Sequence, residues 1–237
     1  MVHERVCGKS RGAPRLQDIE RQTGKIMENI DELIAKLAQD AASVKPVPHP
    51  FMLSAKWMMV ATAYLGVSLL LSGLRPDLMS KFHEPWFVAE IAALIGIFIA
   101  TSLSAALLSF PDMHQMRRIA FVPVIMFALF VLVMFFARLA DNPPAPLPVH
   151  SFQCTLDITL LSLLPAAWIF HVMRKFASTH YHLAGCCALL FAFSIGAIWL
   201  RLYEINDSIV HVVKWHYLPM IAFGIVGLLL GKVMLKW

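Results

Sequence analysis

Six apolar runs, each long enough to cross a bilayer, decide what this chain can become. They lie at 57–74, 86–110, 119–140, 155–173, 183–200 and 216–235. A helix rises 1.5 Å per residue, so a hydrocarbon core roughly 30 Å thick takes about 20 mostly apolar residues. Lipid offers no partner to a bare backbone N–H or C=O, which leaves helices as the open-ended way to cross. The chain is 59% hydrophobic and 15% charged, against about 45–50% and 25% for soluble domains. The expectation is an all-α integral membrane protein with six transmembrane helices.

Charge gives the orientation. Of the 20 Lys and Arg residues, only Arg75, Lys81, Arg138, Arg201 and Lys214 fall in the first, third and fifth connections. The rest lie before the first span, in the second and fourth connections, and at the C-terminus. Cytoplasmic segments carry the basic excess, so both termini are expected in the cytoplasm. The same bias accounts for the net charge of +5 without a direct nucleic-acid partner. The first 25 residues are too charged to hold the apolar stretch of a signal peptide. Trp57, Trp86, Trp199, Trp215 and Trp237 fall near span ends, where indoles anchor at the headgroup level. Small residues recur at four-residue spacing: Ala92, Gly96, Ala100 and Ser104; Ala184, Ala188, Ala192 and Gly196; Gly227 and Gly231. They let helices approach within the bundle, homo-oligomerisation being the alternative use.

Several functions lose support. No P-loop, HExxH, G-x-S-x-G or dinucleotide glycine fingerprint is present, and no clustered acid–base set appears, so no enzyme and no cofactor are expected. No Asp, Glu, Lys or Arg sits at the middle of a span; Glu90 and Asp157 lie within the first turns of theirs. A small-solute or metal transporter is the alternative reading, but transporters place ionisable groups at membrane depth. The four cysteines, Cys7, Cys154, Cys186 and Cys187, are too few and scattered for a disulfide framework.

Residues 1–55 differ from the rest. Ile30, Leu33, Ile34 and Leu37 share one stripe of a helix expected over about 23–42, with Glu28, Asp31, Glu32, Lys36 and Asp40 around it. The prolines of SVKPVPHPF then stop the helix and make an extended tether into the membrane domain at 56–237. A helix of about 15 residues is marginal alone in water, so the stripe needs a cover, either a protein or the membrane surface.

From Met27 onward the chain resembles the NrsF-type anti-sigma factors, a family of six-span bacterial inner-membrane proteins. The resemblance rests on MENIDELIAKLAQDAASVKPVPHP, on GLRPDL at Gly73–Leu78, and on SFPD at Ser109–Asp112. It continues through Cys154 ahead of the LLSLLP that carries Pro165, to the closing KWHYLPMIAFGIVGLLLGKVMLKW. The resemblance implies a cytoplasmic segment that holds an extracytoplasmic-function sigma factor away from RNA polymerase until an envelope signal, oxidative or metal stress, releases it. Ile30, Leu33, Ile34 and Leu37 would be its docking surface. It also suggests Met27 as an alternative start.

The resemblance implies two outward-facing cysteines as well, and this chain has one. Cys154 matches the first, and Glu204 stands where the second belongs. Cys186 and Cys187 fall at the opposite end of the fifth span. His150, Cys154 and Asp157 are spaced to share a helix face if that helix starts early enough, and Glu204 and His211 lie on the same side of the membrane. These are the candidate signal-sensing residues, as a metal cluster or an oxidisable thiol, with a free or packed thiol as the simpler reading. Arg75, Pro76 and Asp77 form the first outer loop. Pro76 is expected to end the first span, with the two charges among headgroups.

Overall fold

The computed structural model describes residues 30–39, 48–111, 117–140, 151–176 and 178–236. All regular structure among them is helical. The chain divides into two units, Met1–Val47 and Pro48–Trp237. In the first, α1 covers 30–39, with Ile30, Leu33, Ile34 and Leu37 all exposed, from 48% to 62%. The rest of the helix expected over 23–42 lies outside the described residues.

The second unit contains α2 (Pro50–Ser72), α3 (Leu78–Lys81), α4 (Pro85–Leu108), α5 (Arg117–Ala120), α6 (Val122–Ala140), α7 (Ser151–Met173) and α8 (Tyr181–Tyr203). It ends with α9 (Ile209–His211), a π-helical turn at Val212–Tyr217, and α10 (Leu218–Met234). Six helical stretches are long and apolar enough to cross a membrane: Pro50–Ser72, Pro85–Leu108, Arg118–Ala140, Phe152–Met173, Tyr181–Tyr203 and Ile209–Met234.

The span ends differ from expectation where proline and glycine act. Pro50 does not stop a helix; it occupies the first turn of α2, where a missing N–H is no loss. Trp57 is therefore well inside α2 and only 2% exposed, part of the core instead of a headgroup anchor. At the other end α2 stops at Gly73, whose φ of 86° suits a residue without Cβ. Gly73, not Pro76, terminates the first span. The last span begins at Ile209, well ahead of His216, and runs through the π turn.

The fifth span, α8, is the centre. Its apolar window is 83% buried, against 22% for those of the first, third and sixth spans, and it packs on α10, α4, α7 and α2. Without a hydrophobic drive between helices in lipid, close backbone approach does the work. The small residues of α8 allow it. Ala184, Ala188 and Ala192 have no exposed surface, and a Cβ on Gly185 would meet the Gly231 Cα at 2.5 Å. A Cβ on Gly196 would fall 2.8 Å from the Ile158 carbonyl.

Three prolines inside the spans each free a carbonyl four residues earlier, and in each case a neighbouring helix supplies a hydroxyl. Pro165 removes the donor for Leu161, and Tyr64 of α2 donates its O–H to the Leu161 oxygen at 2.9 Å. Pro123 does the same near the α5–α6 junction, where buried Ser104 of α4 donates to the Ala120 oxygen at 3.0 Å and reaches the Ile119 oxygen at 3.5 Å. Pro219 deprives Trp215, whose oxygen accepts from Thr155 of α7 at 2.6 Å. This is how proline is tolerated where water cannot step in.

Two tests follow from this packing. Tyr64→Phe should lower the stability of the detergent-solubilised protein by about 0.6–1.7 kcal/mol, the range of interhelical hydrogen bonds in membranes. In a Pro165→Ala background the penalty should shrink towards zero, because an alanine at that position restores the backbone donor for Leu161; equal penalties in both backgrounds would refute the pairing. Gly231→Ala should destabilise by about 1–3 kcal/mol through overpacking. Gly66→Ala, whose new methyl meets nothing within 4 Å, should be neutral or stabilising in the same thermal unfolding assay.

Candidate functional site

The ion pairs among the described residues gather at one end of the bundle, where α2, α6 and α8 finish; this is the distal end, away from Pro50 and Met234. Two adjoining clusters form there. The first is an ion network centred on two arginines. The backbone N–H of Arg75 donates to the Leu202 oxygen at 3.0 Å, which folds the turn after Gly73 over the end of α8. The Arg75 side chain, fully enclosed, grips Asp77 at 2.7 and 2.8 Å and Asp207 at 2.9 and 2.8 Å. Asp207 also takes Lys81 at 2.9 Å and Arg201 at 3.2 Å. Arg201 then pairs with buried Glu90 at 2.8 Å, and Tyr217 donates its O–H to the other Glu90 oxygen. The ring of Phe87 lies against both guanidinium groups, 5.7 Å from Arg75 and 5.1 Å from Arg201. Each buried charge thus has an opposite partner, the condition for burying it at all.

The network sets the ionisation of its members. The two carboxylate partners of Arg75 raise its pKa above the ordinary value for a guanidinium. Arg75 in turn holds Asp77 below the usual carboxylate range. Burial pushes the Asp207 carboxyl up, but hydrogen bonds from Arg75 and Lys81 and the charge of Arg201 bring it down to about 2. Arg75 is therefore enclosed in an ion network where the sequence expectation left it exposed at the membrane boundary, while its partner Asp77 stays partly exposed and Pro76 forms the turn between them.

The second cluster is built on Glu204, the C-cap of α8. One of its oxygens lies 3.2 Å from Cys154 Sγ and 3.1 Å from His216 Nε2, the other 3.4 Å from Cys154 Sγ and 3.5 Å from His211 Nε2. Cys154 Sγ is 3.5 Å from His211 Nε2, and the two imidazole Nε2 atoms are 3.2 Å apart. One ligating atom from each of the four residues falls within 4.8 Å of the other three. Both histidines are fully buried, and among the described residues neither Nδ1 has a hydrogen-bond partner. Burial raises the Glu204 carboxyl, but His216, Cys154 and His211 outweigh it and hold the group below its ordinary value.

Local backbone chemistry positions these groups. Because α7 begins at Ser151, Cys154 sits in its first turns. Residues five apart diverge by roughly 140° on an α-helix of 3.6 residues per turn, which would separate His211 from His216. The π turn at Val212–Tyr217, wider than an α turn, returns both to one face, just before Pro219 interrupts the ladder. Thr155, next to Cys154, ties this turn to α7 through the Trp215 oxygen.

Of the sequence candidates, the structure brings Cys154, Glu204 and His211 together. Asp157 is half-buried on α7 and is not in the four-residue set. His150 lies outside the described residues. Sequence reasoning misses His216, which reads as the first residue of the last span, and whose five-residue spacing from His211 matches no α-helical face. It also misses Glu90, Arg201, Asp207 and Tyr217 as a network, since Glu90 meets Arg201 and Tyr217 across more than 100 residues of sequence. Their shared position at the ends of spans on one side is the available signal.

Fold and site together define a polytopic helical membrane protein with a charged and ligand-rich distal end and no assembled catalytic set among the described residues. The chain belongs to the NrsF family, negative regulator of sigma F, which it matches over residues 37–237. That is a family of regulators of a sigma factor, not of enzymes. The match takes in Leu37, the tether and all six spans, and begins ten residues after Met27. No curated protein and no solved structure matches the chain.

The ion network makes stability depend on pH. Asp207 has a folded value of about 2 against an ordinary 3.8, so its stabilisation is complete above about pH 4 and is lost as pH falls through about 2. The thermal midpoint in detergent should be level from neutral pH to about 5 and drop below about 4. Asp207→Asn should lower the plateau and flatten the acid drop; an unchanged acid profile would count against the network.

Proposed function

We propose that this protein holds an extracytoplasmic-function sigma factor at the cytoplasmic face of the bacterial inner membrane and releases it when the envelope is stressed. The reading places both chain termini in the cytoplasm, on the asymmetry of Lys and Arg among the connections. The sigma factor docks on the stripe of Ile30, Leu33, Ile34 and Leu37, a helix-in-groove mode. The observation that carries this is the family match together with four exposed apolar side chains on one short helix. A soluble partner covers such a stripe at the moment of binding, and its removal uncovers it again. The stress signal, oxidative or metal, enters from the periplasm at the distal cluster of Cys154, Glu204 and His211, with His150 and Asp157 near by in sequence.

Co-purification of the full chain with the cognate sigma factor tests the docking surface. The wild-type protein should capture it, and the double change Leu33→Asp, Leu37→Asp should weaken capture by about a hundredfold, as expected for two buried apolar anchors at about 1.4 kcal/mol each. Undiminished capture overturns the assigned surface. In cells, Cys154→Ser should abolish stress-induced release; release at the wild-type level would remove the distal cluster from the signalling path.

A further inference from the structure

We propose that Cys154, Glu204, His211 and His216 hold a resident divalent ion of the zinc class, closed on all four sides by protein. The inference concerns the distal cluster alone and needs no sigma factor.

Geometry is the first support. Tetrahedral zinc with bonds of about 2.0–2.3 Å separates its ligand atoms by roughly 3.3–3.7 Å. With one Glu204 oxygen as the ligand atom, four of the six separations run from 3.1 to 3.5 Å: Cys154–Glu204, His216–Glu204, Cys154–His211 and His211–His216; His211 meets the other Glu204 oxygen at 3.5 Å. The cluster already has the dimensions of a coordination sphere.

Charge is the second. A thiolate and a carboxylate carry two negative charges, and two neutral imidazoles carry none. A divalent cation brings the sum to zero, the balance that a buried site in a low-dielectric surround demands. Without a cation, four atoms bearing lone pairs face one another, and protons alone must separate them. The donor set also chooses the metal. One sulfur and two imidazole nitrogens suit zinc and its borderline relatives, while magnesium and calcium ask for oxygen. Four protein ligands leave no open position, as in structural and not catalytic zinc sites.

The fold supplies the third. The ligands come from the start of α7, the C-cap of α8, α9 and the π turn. An ion among them clamps these segments together, and the π turn, which costs regular α hydrogen bonding, is what presents the second histidine. Glu204 thus does here, as an oxygen ligand, what a second sulfur would do at that position. Cys154 is held as a coordinated thiolate and not as one half of a disulfide.

The test uses the full chain, purified in detergent from zinc-replete cells, with metal content measured by mass spectrometry. About one zinc per chain is expected, the stoichiometry of a closed four-ligand site. Cys154→Ser, Glu204→Gln and His216→Gln should each weaken zinc binding by more than about 100-fold, the upper bound for changes outside the ligand shell. Cys187→Ser, at the opposite end of α8, should bind as the parent does. Helical content and gel filtration show whether each variant is folded. As a readout independent of stability, cobalt substituted into the parent should show intense tetrahedral bands and a thiolate charge-transfer band, and Cys154→Ser should lose the latter. A parent chain that binds neither zinc nor cobalt overturns the proposal. So do folded ligand variants that keep parental stoichiometry and affinity, or a cobalt spectrum of octahedral oxygen type.

Discussion

A backbone carbonyl in hydrocarbon must find a donor within the protein, and this requirement organises the whole bundle. Six spans meet it through helical hydrogen bonding until a proline breaks the ladder. At Pro165 and Pro219 the freed oxygen accepts from Tyr64 and Thr155, and beside Pro123 Ser104 bonds the Ala120 oxygen and reaches the freed Ile119 oxygen at 3.5 Å, each hydroxyl on a different helix. A local defect in one span therefore becomes a specific contact with another. The prolines fix which helices are neighbours and at what depth, something apolar packing between uniformly greasy surfaces does poorly.

The distal end follows from the last of these contacts. Pro219 cannot donate to Trp215, the helix widens into a π turn over Val212–Tyr217, and Thr155 anchors the widened turn to α7. His211 and His216 then share a face, and Tyr217 reaches Glu90. One backbone irregularity thus feeds both polar clusters: its histidines turn towards Cys154 and Glu204, its tyrosine towards the arginines. Irregular backbone in a membrane protein is tolerated where protein covers it, and here one face of the turn, Val212, His216 and Tyr217, is buried while Val213 and Lys214 are exposed.

The sequence is a good guide to the number and rough place of the spans, because each is an uninterrupted requirement for about 20 apolar residues. It is a poor guide to their ends. Hydropathy scores Arg201, Lys214 and His216 as reasons to stop, yet the helices continue through them, since Arg201 pairs with Glu90 and His216 with Glu204. Trp57 reads as an interface residue because its neighbours Lys56 and Ser54 look like a boundary; Pro50 starts the helix earlier and carries the indole into the core. Within the site, sidedness alone groups Cys154, Glu204 and His211. His216 and the arginine network depend on an unforeseen helix type and on pairings between distant spans, neither of which leaves a local pattern. The exposed stripe on α1 is the opposite case, a purely local periodicity that needs no tertiary information to read.

The pairing of Glu90 with Arg201 also dictates an order of assembly. Glu90 belongs to the second span and Arg201 to the fifth, so during synthesis the acid waits at the membrane boundary until three further helices have been made. Each charge alone burdens the insertion of its own segment, by up to about 2.5–3.5 kcal/mol at mid-bilayer and less near the ends. Lodged near the span ends, both can stay hydrated while they wait. When α8 slides into the centre, it packs on α2, α4 and α7 and neutralises the waiting acid in one event. The helix that is the most enclosed is therefore also the one whose arrival gathers the four earlier spans around one axis and leaves a face for the sixth.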